Sequence, residues 1–150
     1  SFLDELRGER PVGRDYVFAE RGWHWGPLDR TDGLDLSRSV TSERYHFIYN
    51  AIPERRFSPV DMGRNPAWQA MQSLHESGSL SALHERLYFQ NPRPVFELYD
   101  LEKDPYQLEN LAGRKNLRSI EEELRRKMDE WMIRESDFLP LPGHVIQTSR

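Results

Sequence analysis

The chain has 150 residues, a length that suits one compact domain rather than two. Its 21 Lys and Arg against 25 Asp and Glu leave a net charge of −4, which argues against a general nucleic-acid binder, because such a protein carries a basic surplus or stripe. With 37% hydrophobic and 31% charged residues, the chain is polar without being depleted enough of core formers to be disordered. No apolar run approaches the roughly 20 residues that span a bilayer, so no membrane partner is expected. Ser1 in place of Met and the lack of an apolar leader read as a processed chain or a piece of a longer one. The absence of cysteine removes disulfides, thiolate zinc sites and thiol nucleophiles together.

In chain order, Phe2, Leu3 and Leu6 read as the end of a short helix closed by Gly8. Residues 16–20 (Y-V-F-A-E) carry strand formers and predict a buried strand. Residues 21–36, rich in Gly, Trp, Pro and Asp, read as an irregular loop. Residues 37–41 and 45–49 are two β-type runs separated by three residues, which predicts an antiparallel hairpin. In its second arm Tyr45, Phe47 and Tyr49 alternate with His46, Ile48 and Asn50, so one face is aromatic and the other mixed. Residues 51–65 form a long connection. Asn65 then caps a helix with Pro66 at its first position, followed by Ala67, Ala70, Met71 and Leu74 at helical spacing and stopped by Gly78. Ser79 is expected to cap a second helix whose Leu80, Leu83 and Leu87 share a face. Residues 95–99 predict another strand, and residues 117–134 a long helix with an apolar stripe of Ile120, Leu124, Met128, Trp131 and Met132. Ser119 and Glu122 fit a capping box there, and Glu121–Arg125, Glu122–Arg126 and Glu123–Lys127 are favourable i,i+4 pairs. The tail from residue 139 reads as loosely held. The sum is an α+β domain: a small antiparallel sheet of about four strands, packed by a long C-terminal helix and carrying a helical insert.

A self-contained active site is hard to assemble from these residues. The five histidines fall at 24, 46, 75, 84 and 144, with no H-E-x-x-H and no i,i+4 pair for a metal. The repeated dipeptides His75-Glu76 and His84-Glu85 are more ordinary as solvated helix faces than as ligands. Residues 100–104 faintly suggest a calcium loop, but Leu111 stands where the bidentate Glu belongs and Gly is missing from the sixth position. There is no Gly-rich phosphate loop and no G-x-S-x-G elbow. The richest cluster is Glu20-Arg21-Gly22-Trp23-His24-Trp25-Gly26 at the end of a predicted strand. Its indoles can stack on a sugar ring while Arg21 and His24 bind an anionic substituent; equally, both Trp can anchor the loop to the protein. Arg38 and Arg44 can also reach an anion, although a surface salt bridge is the more ordinary role for each. In residues 99–112, Asp104 can cap a short turn with Pro105 at its first position, and Asn110 suits a left-handed exit. That stretch reverses the chain between the last strand and the final helix.

Residues 97–112 (E-L-Y-D-L-E-K-D-P-Y-Q-L-E-N-L-A) closely resemble the E-L-Y-D-L-x-x-D-P-x-E-x-x-N-L-A signature near the C-terminus of sulfatases, with Gln107 where the pattern has Glu. Residues 14–20 are similar to the family's R-D-Y-V-F-x-E strand, and residues 38–50 to R-x-V-R-T-x-R-Y-K-Y-I-x-N. In the latter, Ser42, or Thr41 in the other register, departs from the inner Arg-Thr pair. The insert from Pro66 to Leu87 and residues 131–137 look like the heparan N-sulfatase (sulfamidase) branch. The resemblance implies the end of a preceding catalytic domain or a junction at 1–14, a sulfatase C-terminal subdomain at 15–138 and an extended tail at 139–150. It implies an alkaline-phosphatase-like catalytic domain in cis, with calcium and a formylglycine made from a C/S-x-P-x-R motif, neither supplied by this chain. On that basis no catalytic or metal-binding residue is carried over, and His24, Arg21 and Trp25, with Arg38 after them, are expected to line the rim for a sulfated saccharide, ester or sulfamate. The alternative is a stand-alone carbohydrate-binding or interaction module in which Trp23, His24 and Trp25 form the platform.

Overall fold

A computed structural model of the chain describes residues 3–8, 13–23, 34–57, 59, 63 and 65–139. After a one-turn helix α1 (Leu3–Leu6), strands β1 (Val17–Trp23), β2 (Leu34–Thr41), β3 (Tyr45–Asn50) and β4 (Phe96–Asp100) pair in sequence order, each antiparallel to its neighbour. The register aligns Phe18 with Val40, Val40 with Phe47, and Phe47 with Leu98, making one apolar row across all four strands. Two residues along, Arg38, Tyr49 and Phe96 form the next row on that face, as the two-residue period of a strand requires. The expected four-stranded antiparallel sheet is thus present.

Helix α4 (Arg118–Arg134) covers this face and buries Leu124, Met128 and Met132 against Val40, Phe47 and Leu98. Each such fully buried side chain contributes about 1.5–3 kcal/mol by leaving water. Trp131 stacks on Phe18 with ring centroids 5.2 Å apart, and the Arg125 guanidinium lies 3.7 Å from the Phe96 ring centre. The helical stripe read from the sequence is the one that packs, because its 3–4-residue spacing keeps one side turned to the sheet.

Several local expectations change. The predicted loop at 21–36 loses both ends to strands: β1 runs on to Trp23 and β2 starts at Leu34, since ladder pairing such as Arg21 with Ser37 satisfies backbone groups despite the poor propensities. Residues 24–33 lie outside the described residues. β1 is an edge strand with Val17 55% exposed, so it is half-buried rather than buried. The capping box at Ser119 is absent: Leu117 is the N-cap, residues 115–117 form a 3-10 turn, and the Glu121 carboxylate instead accepts from the Gly113 N–H at 2.7 Å. Gly113 has φ 79, a left-handed turn that glycine adopts without steric cost. Of the three i,i+4 pairs, Glu121–Arg125 forms at 2.5 Å; Glu122 is taken by Arg118 and Glu130 by Arg126 and Lys127. Leu139, expected in the loose tail, is buried in the core.

In the insert, Asn65 caps α2 (Pro66–Glu76) as expected, accepting from the Ala67 N–H at 2.9 Å. The second helix is capped by Ser81 rather than Ser79; α3 (Ala82–His84) passes directly into a π-helical turn, Glu85–Phe89. Neither helix buries a residue fully, and Leu74, Leu83 and Leu87 stay largely exposed, so the leucine face is not the packing face. Aromatic rings hold the insert together instead. Trp68 and His75 each stack on Phe89, at 5.4 and 4.3 Å, while Phe57 packs against Tyr88 at 5.9 Å.

Candidate functional site

In an antiparallel meander the end of β1, the start of β2, the end of β3 and the start of β4 meet at one end of the sheet. On the face away from α4, that end holds Asp35, only 5% exposed. Arg93, in the Pro-Arg-Pro entry to β4, grips it with both arms of its fork at 2.6 and 3.0 Å. Arg21 of β1 approaches the same carboxylate at 3.3 Å and lies 5.4 Å over the Phe57 ring. Two guanidiniums thus converge on one desolvated carboxylate, which fixes both of them at this end of the sheet. The cluster contains no nucleophile paired with a base.

Arg38 sits on the opposite face, beneath this cluster, and is 3% exposed. Its Nε and Nη2 donate to the two oxygens of Asp137, the latter bond measuring 3.0 Å, and Nη1 donates to the carbonyls of Arg21 at 3.0 Å and Ser37 at 2.8 Å. The surface salt bridge expected for it is a buried one. Every arm of this guanidinium is engaged within the fold, so Arg38 fixes where β1 carries Arg21. The guanidinium beside Asp137 holds that carboxyl below the usual carboxylate range. Arg21 is therefore the one proposed rim residue whose side chain the described structure places in the charged cluster. His24 and Trp25 lie outside the described residues.

Asp35, Phe57 and Arg93 were not singled out from sequence. Asp35 falls in the stretch read from sequence as an irregular loop, among several other acidic residues. The signal that existed was Arg93 itself, a charged residue fixed between two prolines.

The 97–112 stretch forms a latch rather than a site. Arg44 binds both oxygens of Asp100, at 3.1 and 2.7 Å, and lowers its pKa. Asn110 donates to the Phe96 carbonyl at 3.0 Å and accepts from the N–H groups of Leu98 and Ala112, so its side chain substitutes for a fifth strand. The left-handed residue is Gln107, φ 56, not Asn110; its side chain is held 2.5 Å from His46 Nδ1. Asp104 closes the turn by accepting from the Glu109 N–H at 2.8 Å.

Among the described residues nothing forms a fitting seat for the calcium that the sulfatase resemblance implies, and the sequence holds no C/S-x-P-x-R motif for a formylglycine. The chain has no cysteine, and among the described residues no three His, Asp or Glu side chains are grouped to hold a metal ion. The buried carboxylates Asp35, Asp100 and Asp137 are already neutralised by arginines. Among the described residues no helix is long and apolar enough to cross a membrane.

No protein-family model matches the chain. It is 31% identical over 140 residues to an ulvan-active sulfatase of Formosa agariphila, and 30% identical over 140 residues to a second ulvan-active sulfatase of that organism. Its homologues are sulfatases. The matches take in 91% and 93% of this chain but 23% and 25% of those sulfatases, so the chain spans about a quarter of the curated relatives it matches. Among solved structures a 2-O GAG sulfatase superposes with a TM-score of 0.52 at 21% identity, over 91% of this chain and 20% of that one. That likeness concerns the fold: this sheet and covering helix recur as one small part of a larger sulfatase.

Proposed function

We propose that the chain is the C-terminal part of a sulfatase that hydrolyses sulfate groups on a polysaccharide, and that it closes the fold and supplies part of the rim of the substrate cleft. The observation that carries this is the 31% identity over 140 residues to a sulfatase of which it matches 23%. The E-L-Y-D-L-E-K-D-P signature at 97–105 and its latch geometry support it. In this reading Arg21 contacts an anionic group of the saccharide, with His24 and Trp25 beside it, Asp35 and Arg93 hold Arg21 in place, and Arg38 sets the strand beneath. The partner in cis is the catalytic domain, bringing the calcium and the formylglycine. Ile133, 65% exposed, and Phe138, 78% exposed, are apolar groups left for such a partner to cover. Saccharide class is drawn from the relatives: an ulvan or a glycosaminoglycan chain carrying sulfate esters, with the sulfamate alternative as a further arm of the assay.

The test is sulfate release from ulvan, 2-O-sulfated and N-sulfated glycosaminoglycan oligosaccharides by the protein that contains this chain. Release by that protein, none by residues 1–150 alone, and a KM raised about tenfold or more in Arg21→Ala are expected. Turnover by the isolated chain, or no release from any of the three substrates by the larger protein, would overturn the proposal.

A further inference from the structure

Between the helical insert and the face of the sheet not covered by α4 lies a cleft of about 100 Å³. Phe57 and Tyr88 supply aromatic walls, and Arg86, Arg93, Glu97 and Tyr99 supply polar groups. Phe57 is the ring beneath Arg21, and Arg93 is the residue gripping Asp35, so the cleft opens beside the charged cluster. Its own charge is nearly balanced. Arg93 is offset by Asp35, and the single charges of Arg86 and Glu97 are opposite. The Glu97 carboxylate receives one hydrogen bond on each oxygen, from Asn50 Nδ2 at 2.6 Å and from the Tyr99 hydroxyl. A carboxylate has about four lone-pair positions, so each oxygen can accept once more. Burial and this bond raise the Tyr99 pKa, which keeps the phenol a donor to Glu97.

We infer that this cleft is a saccharide subsite for the uncharged edge of a sugar residue, beside the arginine pair to which the proposed function assigns the anionic group. This rests on the sulfatase reading for the company it keeps, but its chemistry is separate. A sulfate would meet the Glu97 carboxylate, whereas a sugar hydroxyl donates to Glu97 and accepts from a guanidinium, and its C–H face lies on an aromatic ring. The volume is below the roughly 150 Å³ of a cavity that encloses benzene, so the cleft holds one edge of a ring and not a whole disaccharide. Anion on one side and hydroxyls on the other would orient a sulfated chain by two unlike contacts.

The test is calorimetric titration of the 150-residue chain with a sulfated ulvan tetrasaccharide and with the same tetrasaccharide chemically desulfated. Glu97→Gln removes the charged acceptor while keeping its shape, and Arg86→Ala removes an exposed guanidinium that also donates to the Leu108 carbonyl at 2.9 Å, so thermal melts of both variants accompany the titrations. Both are expected to weaken the two probes alike, by about tenfold or more for the loss of a hydrogen bond to a charged group. Arg21→Ala is expected to weaken the sulfated probe alone. No binding of the desulfated probe to the unaltered chain, or full-strength binding by both Glu97→Gln and Arg86→Ala, overturns the inference. If the sulfated probe gains nothing over the desulfated one while the Glu97 and Arg86 effects persist, the sulfatase reading of Arg21 fails and the subsite stands.

Discussion

Replacing Arg38 on β2 with alanine is expected to cost far more than removing an exposed arginine of α4 such as Arg118. Arg38 and Asp137 side chains are 3% and 5% exposed, and they join β2 to the turn after α4 across 99 residues. Its removal leaves a buried carboxylate without its counter-charge and two carbonyls, of Arg21 and Ser37, without their donor. Breaking a buried pair on one side costs about 3–5 kcal/mol. Against a total stability of about 5–15 kcal/mol for such a domain, the midpoint of thermal unfolding should fall by roughly 6–20 °C. Arg118→Ala is the internal contrast: its pair with Glu122 is 80% and 62% exposed, so solvent screens it and its loss should barely move the midpoint. Urea unfolding followed by circular dichroism measures both variants, and a double-mutant cycle with Asp137→Ala isolates the coupling. An Arg38→Ala loss below about 1 kcal/mol, or no coupling to Asp137, would refute the argument that this arginine is a buried clamp.

Three further outcomes are expected. Asn110→Ala leaves the Leu98 and Ala112 N–H groups and the Phe96 carbonyl without their partner; because Asn110 is partly reached by water, the loss should be about 1–2 kcal/mol, visible as a lower urea midpoint and faster hydrogen exchange at Leu98. Phe47→Ala, at 0% exposure in the middle of the apolar row, should cost about 3–5 kcal/mol by the same unfolding assay. Asp137 has its pKa lowered in the folded state by Arg38, so its stabilisation is complete above the unfolded carboxylate value near ~3.9 and is lost as the pH falls through the lowered folded value. Melting curves should therefore drop on the acid side, and Asp137→Asn, already weakened at neutral pH, should show a flatter acid limb; parallel acid limbs would contradict this assignment.

The sequence by itself was sufficient for the main periodic elements, though not for every cap and turn. The alternation Tyr45, Phe47, Tyr49 could only place one aromatic face on a strand, and Leu124, Met128 and Met132 could only share one side of a helix. Asn65-Pro66 announced a helix start because the side-chain acceptor and the missing proline N–H both suit a first turn. The signature at 97–112 carries the sulfatase likeness by itself. Register and long-range partners were beyond it. Nothing local distinguishes Arg38, which finds Asp137 at the far end of the chain, from Arg44, which finds Asp100; both were equally plausible as surface cations. Ser119 could have capped α4, but the preceding 3-10 turn moved the helix start, and the insert packed through Trp68, Tyr88 and Phe89 rather than its leucines. The cluster of Arg21, Asp35 and Arg93 exists only because a meander returns its strands to one end, bringing residues 14 and 58 positions apart onto one carboxylate. Chain periodicity determined the elements of this domain; the cost of burying charge without a partner decided which side chains had to meet.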